Sequence, residues 1–231
     1  MHGTNEAQKF VGEVLCDLIA NETPVRIGFE AARTQSAALN ALTEATFSDQ
    51  QAYEAARQMW DSPDGRSSQA ALSLLRRISD WRTSGAEIEV FAFDFAPSAF
   101  PSDLERGRHA SMAAMVDEAA TGFEGAILLV AGNYHTPIVR RTMEPVSGSM
   151  SNMITARPVV SLEMAHNGGG AFVTYSMNGG ELTTGELTLS KNHAIDIEDW
   201  SVRIEPFGVH YRGTYSVGSI TASPPAFATE H

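Results

Sequence analysis

The chain has 231 residues, of which 43% are hydrophobic and 19% are charged, so one large domain can bury an adequate core without disulfides. Its formal net charge is −12 with only 16 lysines and arginines, and this acidity argues against nucleic acid as a partner. Cys16 is the single cysteine, which excludes a disulfide framework and a cysteine zinc site.

Helical and strand patterns alternate over the first 135 residues. Apolar residues at helical spacing predict amphipathic helices at 5–22, 35–60, 67–81 and 103–120. Short apolar runs rich in β-forming residues predict buried strands at 24–30, 87–95 and 126–135. Such alternation is typical of parallel strands joined by helical crossovers. We therefore expect an α/β fold with a mostly parallel central sheet.

The first predicted helix has no strand before it. Only residues 1–4 precede this helix, and four residues are too few for a strand of the central sheet. We therefore expect the first strand to be missing from this chain, as it would be if the chain began at an internal methionine. The upstream coding sequence tests this expectation, since it should encode an apolar strand.

The C-terminal part of the sequence has a different character. Runs at 158–166, 171–177, 201–207 and 209–221 predict β segments separated by Gly and Asn turns. We expect this β-rich part, residues 156–225, to extend or cap the central sheet within a single domain of residues 1–231. No apolar run approaches 18 residues and no signal peptide is visible. The chain as given would then be cytoplasmic, or periplasmic if a leader preceded it.

Polar side chains follow the predicted strands at the point where each strand ends. In an open α/β sheet, ligands bind outside these carboxyl ends. The residues expected at this edge are His2 and Glu6 after the missing strand, Glu30 and Arg33 after the next, Asp94 after the third, and Asn133 and His135 after the last. The sequence therefore predicts that two histidines, several acids and an arginine meet in one pocket.

Two chemistries are open to such a set. A neutral imidazole beside a carboxylate can activate water against an ester, lactone or amide, while an arginine or second histidine stabilises the oxyanion. Alternatively, His2, His135 and Glu30 could bind a divalent metal that acidifies the water. Each residue also has a structural interpretation. His2 could be a terminal residue, Glu6 a partner of the helix dipole, Glu30 a surface partner of Arg33, and His135 a turn residue.

Four short motifs carry a resemblance to a known superfamily. They are MHGTNE at the start, GFE at 28–30, RHASMA at 108–113 and LLVAGNYH at 128–135. In this order they resemble the superfamily that holds the erythromycin esterases, the ChaN haem-binding lipoproteins and the TraB/TIKI proteins. The resemblance covers about residues 1–138 and implies an EreA/ChaN-like α/β domain. The chain departs from the pattern at His109, where aspartate is common.

The resemblance implies a hydrolase of esters, lactones or peptides. Its site residues would be His2 as the base, Glu6 or Glu30 to orient it, His135 as a second catalytic imidazole, and Arg108 or Arg33 to hold an anionic group or the oxyanion. The alternative is a haem- or small-ligand-binding protein like ChaN, with Tyr134 or His135 as an axial ligand. A third is a family member without catalysis, which a missing strand would favour. The expected partner is a small-molecule or peptide substrate.

Overall fold

A computed structural model describes residues 2–44, 65–94, 105–132, 135–137, 148–176, 182–193, 197–204 and 211–227. The helices are α1 (Asn5–Ala20), α2 (Ser36–Glu44), α3 (Gln69–Thr83), α4 (Glu105–Ala120) and α5 (Met150–Met153), with 3-10 turns at Arg33–Gln35 and Gly65–Ser67. The strands are β1 (Val25–Ala32), β2 (Ile88–Asp94), β3 (Ala126–Val130), β4 (Leu162–Ala165), β5 (Gly169–Ser176), β6 (Leu182–Leu189), β7 (Val202–Arg203) and β8 (Gly213–Ser216).

The central sheet has three parallel strands in the order β2-β1-β3. Val25 at the start of β1 pairs with Ile88 on one side and with Ala126 on the other. Parallel strands need long crossover connections, and here α2 and α3 lie between β1 and β2, while α4 lies between β2 and β3. The predicted α/β fold with a parallel sheet is confirmed.

Helices cover both faces of this sheet, which explains why its strands read as apolar runs. On one face, alternate strand residues such as Ile27 and Val90 pack with Leu15, Leu39 and Leu75 from α1, α2 and α3. On the other face, the buried side chains come from β2, α4 and α5: Phe93, Met112, Met115, Val116 and Met150. None of the helices among the described residues combines the length and apolar composition needed to cross a bilayer.

The C-terminal strands pair with each other and not with the central sheet, so far as the described ranges show. They form a sheet in the order β4-β8-β7 and an antiparallel β5-β6 hairpin. Both pack against the outer side of α1, where Phe10 stacks on Tyr215 with ring centroids 4.5 Å apart. Of the two expected arrangements, extension or capping of the central sheet, the described strands therefore do not show extension. Helix α1, for which we predicted one buried face, is buried on two sides.

The amino-terminal residues are held by the end of the chain. Thr4 forms an isolated antiparallel bridge with Ala222, and the Gly3 carbonyl accepts hydrogen bonds from the Phe172 amide (2.8 Å) and the Ser223 amide (3.0 Å). Residues 2–4 thus contribute no strand to the central sheet. Their attachment to residues 221–223 fixes the position of His2 next to the carboxyl edge of that sheet.

Candidate active site

Glu30 is the centre of the polar cluster at the carboxyl edge of the central sheet. Its side chain, near the end of β1, is only 7% exposed. One carboxylate oxygen, Oε2, accepts a hydrogen bond from the Gly132 amide at 2.7 Å and lies 3.2 Å from His2 Nε2. The other oxygen, Oε1, lies 3.4 Å from His135 Nε2. The structure therefore brings together three residues that are far apart in sequence: His2, Glu30 and His135.

Two arginines complete the cluster. Arg108, from α4, makes a bidentate pair with Asp94 at the end of β2, with N–O distances of 2.9 and 2.6 Å. Its guanidinium also lies 3.5 Å from Glu30 Oε1. Arg66, from the turn before α3, lies 3.4 Å from Glu30 and 3.8 Å from Asp94. Two buried carboxylates are thus balanced by two guanidinium groups, which is the condition for holding such charges in a protein interior.

The surroundings of Glu30 keep it ionised. Burial alone would raise the pKa of this carboxyl, but hydrogen bonds from His135 and His2, and electrostatic attraction to these two side chains, lower the pKa well below its ordinary value. The hydrogen bonds from Arg108 to Asp94 likewise raise the pKa of the guanidinium. An ionised carboxylate has no proton to donate, so each histidine nitrogen facing Glu30 must be the one that carries a proton.

This requirement fixes the tautomers of two histidines. Neutral His135 carries its proton on Nε2, toward Glu30, and its Nδ1 lies 2.8 Å from Nε2 of the buried His109. His109 therefore donates to His135, which donates to Glu30. Neutral His2 also carries its proton on Nε2, so its Nδ1 is the basic nitrogen, on a side chain that is 19% exposed.

A close contact between glycines places His2 at the site. A Cβ on Gly65 would lie 2.2 Å from the Gly3 nitrogen, and a Cβ on Gly3 would lie 1.5 Å from the Phe172 oxygen. Only residues without a side chain allow the backbone at 2–3 to lie between the 65–67 turn and β5. The same contact brings Arg66 next to the carboxylates.

We expect Gly65→Ala to lower thermal stability and to displace His2 from Glu30. The alanine methyl group would press on the Gly3 backbone, and overpacking of this kind costs about 1–3 kcal/mol. Gly185→Ala is the matched control, because a Cβ on Gly185 meets nothing within 4 Å. Thermal unfolding and the ring NMR shifts of His2 report the two effects. Equal behaviour of the two variants would contradict this account of how His2 is placed.

Two residues expected at the site lie elsewhere. The Glu6 carboxylate accepts hydrogen bonds from the amide and hydroxyl of Thr221, at 2.8 and 2.7 Å, so it tethers the chain end and does not orient His2. Arg33 pairs with Glu118 at 3.2 Å on the surface, where both side chains are more than half exposed. The sequence left two choices for each role: Glu6 or Glu30 to orient His2, and Arg33 or Arg108 to hold an anionic group. In the structure, Glu30 and Arg108 are the two that lie in the cluster. Asn133 and Tyr134 lie outside the described residues.

The cluster also contains residues that the sequence did not reveal. Arg66 lies in the turn before α3 and does not follow a strand, and its approach depends on the Gly3–Gly65 contact. His109 stood out only as a departure from the family pattern. The Gly132 amide, which makes the shortest contact with Glu30, is a backbone group of the turn after β3 and has no signature of its own.

The described donor set does not fit a divalent metal, and His135 does not fit haem, while Tyr134, the other expected haem ligand, lies outside the described residues. The described ranges contain no group of three or more His, Cys, Asp or Glu side chains arranged to hold a metal ion. Two guanidinium groups already lie within 3.5 Å of Glu30 Oε1, where a divalent cation would be repelled. Both ring nitrogens of His135 have partners, Glu30 and His109, so neither is open to haem iron.

The fold and the cluster define an α/β protein with a histidine–carboxylate–arginine site at the ends of its parallel strands. No family model matches the chain, and no curated protein matches it. A crystal structure of a protein from Bacillus cereus is similar to 98% of this chain and 88% of its own length, with a TM-score of 0.58 and 9% sequence identity. A likeness at this identity supports the α/β fold and carries no function.

Proposed function

We propose that this protein is a hydrolase of carboxylic esters or lactones in which His2 activates a water molecule. The observation that carries the proposal is the 3.2 Å contact between His2 Nε2 and the buried, ionised Glu30 carboxylate. Such a carboxylate fixes the tautomer of the imidazole and stabilises the imidazolium that forms. The resemblance to the erythromycin esterase, ChaN and TraB/TIKI superfamily supports the same reaction class, with peptides as a further substrate type.

The proposed reaction has two proton transfers on His2. Nδ1 takes a proton from water as the water oxygen attacks the acyl carbon, and a tetrahedral oxyanion forms. The guanidinium of Arg66, a quarter exposed beside Glu30, would stabilise this negative charge together with that of Arg108. The intermediate then collapses, the C–O bond to the alcohol breaks, and the His2 imidazolium returns its proton to the leaving alkoxide.

His135 serves this reaction as a positioning residue. Its Nε2–H points at Glu30 and its Nδ1 is occupied by His109, so it has no basic nitrogen available to water. It holds the carboxylate that in turn holds His2. This assignment differs from our expectation of a second catalytic imidazole, and it predicts different kinetics for the two histidines.

Hydrolysis of p-nitrophenyl acetate, p-nitrophenyl butyrate, a γ-lactone and a short peptide, each with and without EDTA, tests the proposal. We expect ester or lactone turnover that the chelator leaves unchanged. Loss of a general base typically costs about 10²–10⁴-fold, so we expect His2→Ala to lower kcat/KM by this factor. We expect His135→Asn to lower it less, because His2 keeps its basic nitrogen.

His193→Ala is the matched control for these variants, since His193 follows β6 and makes none of the contacts of the Glu30 cluster given above. Its kcat/KM should stay within about twofold of the parent. Circular dichroism and the thermal midpoint establish that each variant is folded. Full activity in a folded His2→Ala protein would contradict the proposed mechanism, and turnover abolished by EDTA would replace it with a metal-dependent one.

A further inference from the structure

A groove of about 440 Å³ runs along the edge of β3 opposite β1. Its lining is mostly apolar and comes from α1, from the last turn of α4, from β3 itself and from residues 157–164. His2 lies at one end of the groove. At the other end, Arg157 donates a hydrogen bond to the Gly125 carbonyl at 2.7 Å. The groove is therefore as long as the strand beside it.

The composition and burial of β3 do not match each other. Its sequence is AILLV, the most apolar of the strands, yet all five residues are only half-buried. In a parallel sheet, alternate residues direct their N–H and C=O groups to opposite neighbours. One set on β3 pairs with β1, and within the described ranges no strand pairs with the other set. Unpaired strand edges of this kind are templates for a further strand.

An orphaned polar atom points to the same place. Gln8, on α1, lines the groove and is only 4% exposed. Its Oε1 is buried, and no partner for it occurs in the part of the chain that the structure describes. A buried acceptor without a donor is rare and costs about 1–3 kcal/mol. An occupant that fits this groove would therefore offer hydrogen-bond donors as well as apolar side chains.

We propose that this groove accepts a fourth parallel β-strand, an extended apolar peptide segment of about five residues that leads directly into His2. A Cβ on Gly132, just after β3, would lie 3.3 Å from His2 Nε2, so a segment ending at His2 lies level with the end of β3. Running back from there, its five residues would pair with 126–130 and span about 17 Å.

The direction and chemistry of this segment follow from the fold. A strand that enters α1 and is followed by β1 forms a β–α–β unit, whose two strands are parallel in one sheet. Its side chains would alternate between α1, with Val11 and Val14, and α4, with Val116 and Ala120, so both faces require apolar residues. The N–H groups of this strand that do not pair with β3 would supply donors on the side of Gln8.

Two amino-terminal fusions before His2 test the proposal. One adds valine-isoleucine-valine-leucine-glycine, and the matched control adds proline-isoleucine-proline-leucine-glycine, which has the same length but lacks two N–H donors. We expect the first to raise the thermal midpoint by about 5 °C or more and the control to change it by less than about 2 °C. NMR hydrogen exchange should show new protection at alternate amides of residues 126–130 in the first fusion alone.

Equal midpoints and unchanged exchange in the two fusions would overturn the proposal. Equal stabilisation by both would also overturn it, because it would assign the groove to an apolar ligand that needs no strand pairing. If the first fusion aggregates, the same pentapeptide is added as a separate molecule to the unextended chain, and amide hydrogen exchange of β3 is measured. Protection of the alternate β3 amides would then support the proposal, and its absence at millimolar peptide would refute it. None of these measurements depends on hydrolytic activity.

Discussion

Replacing Glu30 with glutamine is expected to destabilise the protein by about 3–5 kcal/mol and to abolish the proposed hydrolysis. The amide keeps the shape of the side chain but removes the negative charge that Arg66, Arg108 and His2 surround. The side-chain NH₂ group of the glutamine is also a hydrogen-bond donor where the carboxylate oxygen was an acceptor, so it would face the donors that now surround Glu30. Urea unfolding measures the loss of stability, and the ester panel measures the loss of activity.

Glu89→Gln is the control for this substitution. Glu89 also pairs with an arginine, Arg26, but its side chain is 63% exposed, and surface ion pairs of this kind contribute about 0–1 kcal/mol. A similar loss in the two variants would show that Glu30 is a solvated partner and not the centre of a buried cluster.

The Glu30 variant should also change how stability depends on pH. The pKa of Glu30 is lowered in the folded protein, so its contribution is fully present above the unfolded value of about 4.3 and is lost as pH falls toward the folded value. Below about pH 4 the parent protein should therefore lose stability more steeply than Glu30→Gln. Parallel curves for the two proteins over this range would contradict the depressed pKa.

Replacing Arg108 with methionine is expected to cost about 3 kcal/mol. Asp94 is 1% exposed, and this substitution removes both of its bidentate hydrogen bonds, while Arg66 lies farther away, at 3.8 Å. Arg33→Met is the control, since the Arg33–Glu118 pair lies on the surface and should contribute less than about 1 kcal/mol. Chemical unfolding of both variants gives the comparison.

A second substitution separates the charge from the packing of Arg108. In Arg108→Met/Asp94→Asn the buried negative charge of Asp94 is gone as well, and we expect part of the lost stability to return. No recovery in the double variant would mean that the cost of Arg108→Met comes from the lost packing of the long side chain. Equal costs for Arg108→Met and Arg33→Met would contradict the buried pair itself.

The α/β fold could be predicted because its determinants are local. Alternating helical and strand periodicities identify β1, β2, β3 and the helices between them without knowledge of any contact. The arrangement of the C-terminal strands could not be predicted in this way. Periodicity shows that a face is apolar but not what covers it, and the second buried side of α1 became apparent only from its contacts with Met164, Val217 and Ile220.

Some residues of the site could likewise be predicted from the sequence, and others could not. His2, Glu30 and His135 could be placed together because the carboxyl ends of parallel strands share one edge of a sheet. Arg66 and His109 could not, since their positions depend on a glycine contact and on helix packing. The sequence places Glu6 at the site because, with His2, it follows the missing strand. Its partner Thr221 is 215 residues away, and nothing in the spacing of the sequence indicates it.

The attachment of His2 to residues 221–223 has a consequence for biosynthesis. Ribosomes add about 5–20 residues per second, so roughly 10–45 s pass between the emergence of the first residues and of those that anchor them. During this time the sheet of β1, β2 and β3 can form, but the bridge from Thr4 to Ala222 and the hydrogen bond from the Ser223 amide to Gly3 cannot. Formation of the contact between His2 and Glu30 would therefore be a late step in the folding of the nascent chain, after residues 221–223 have been made.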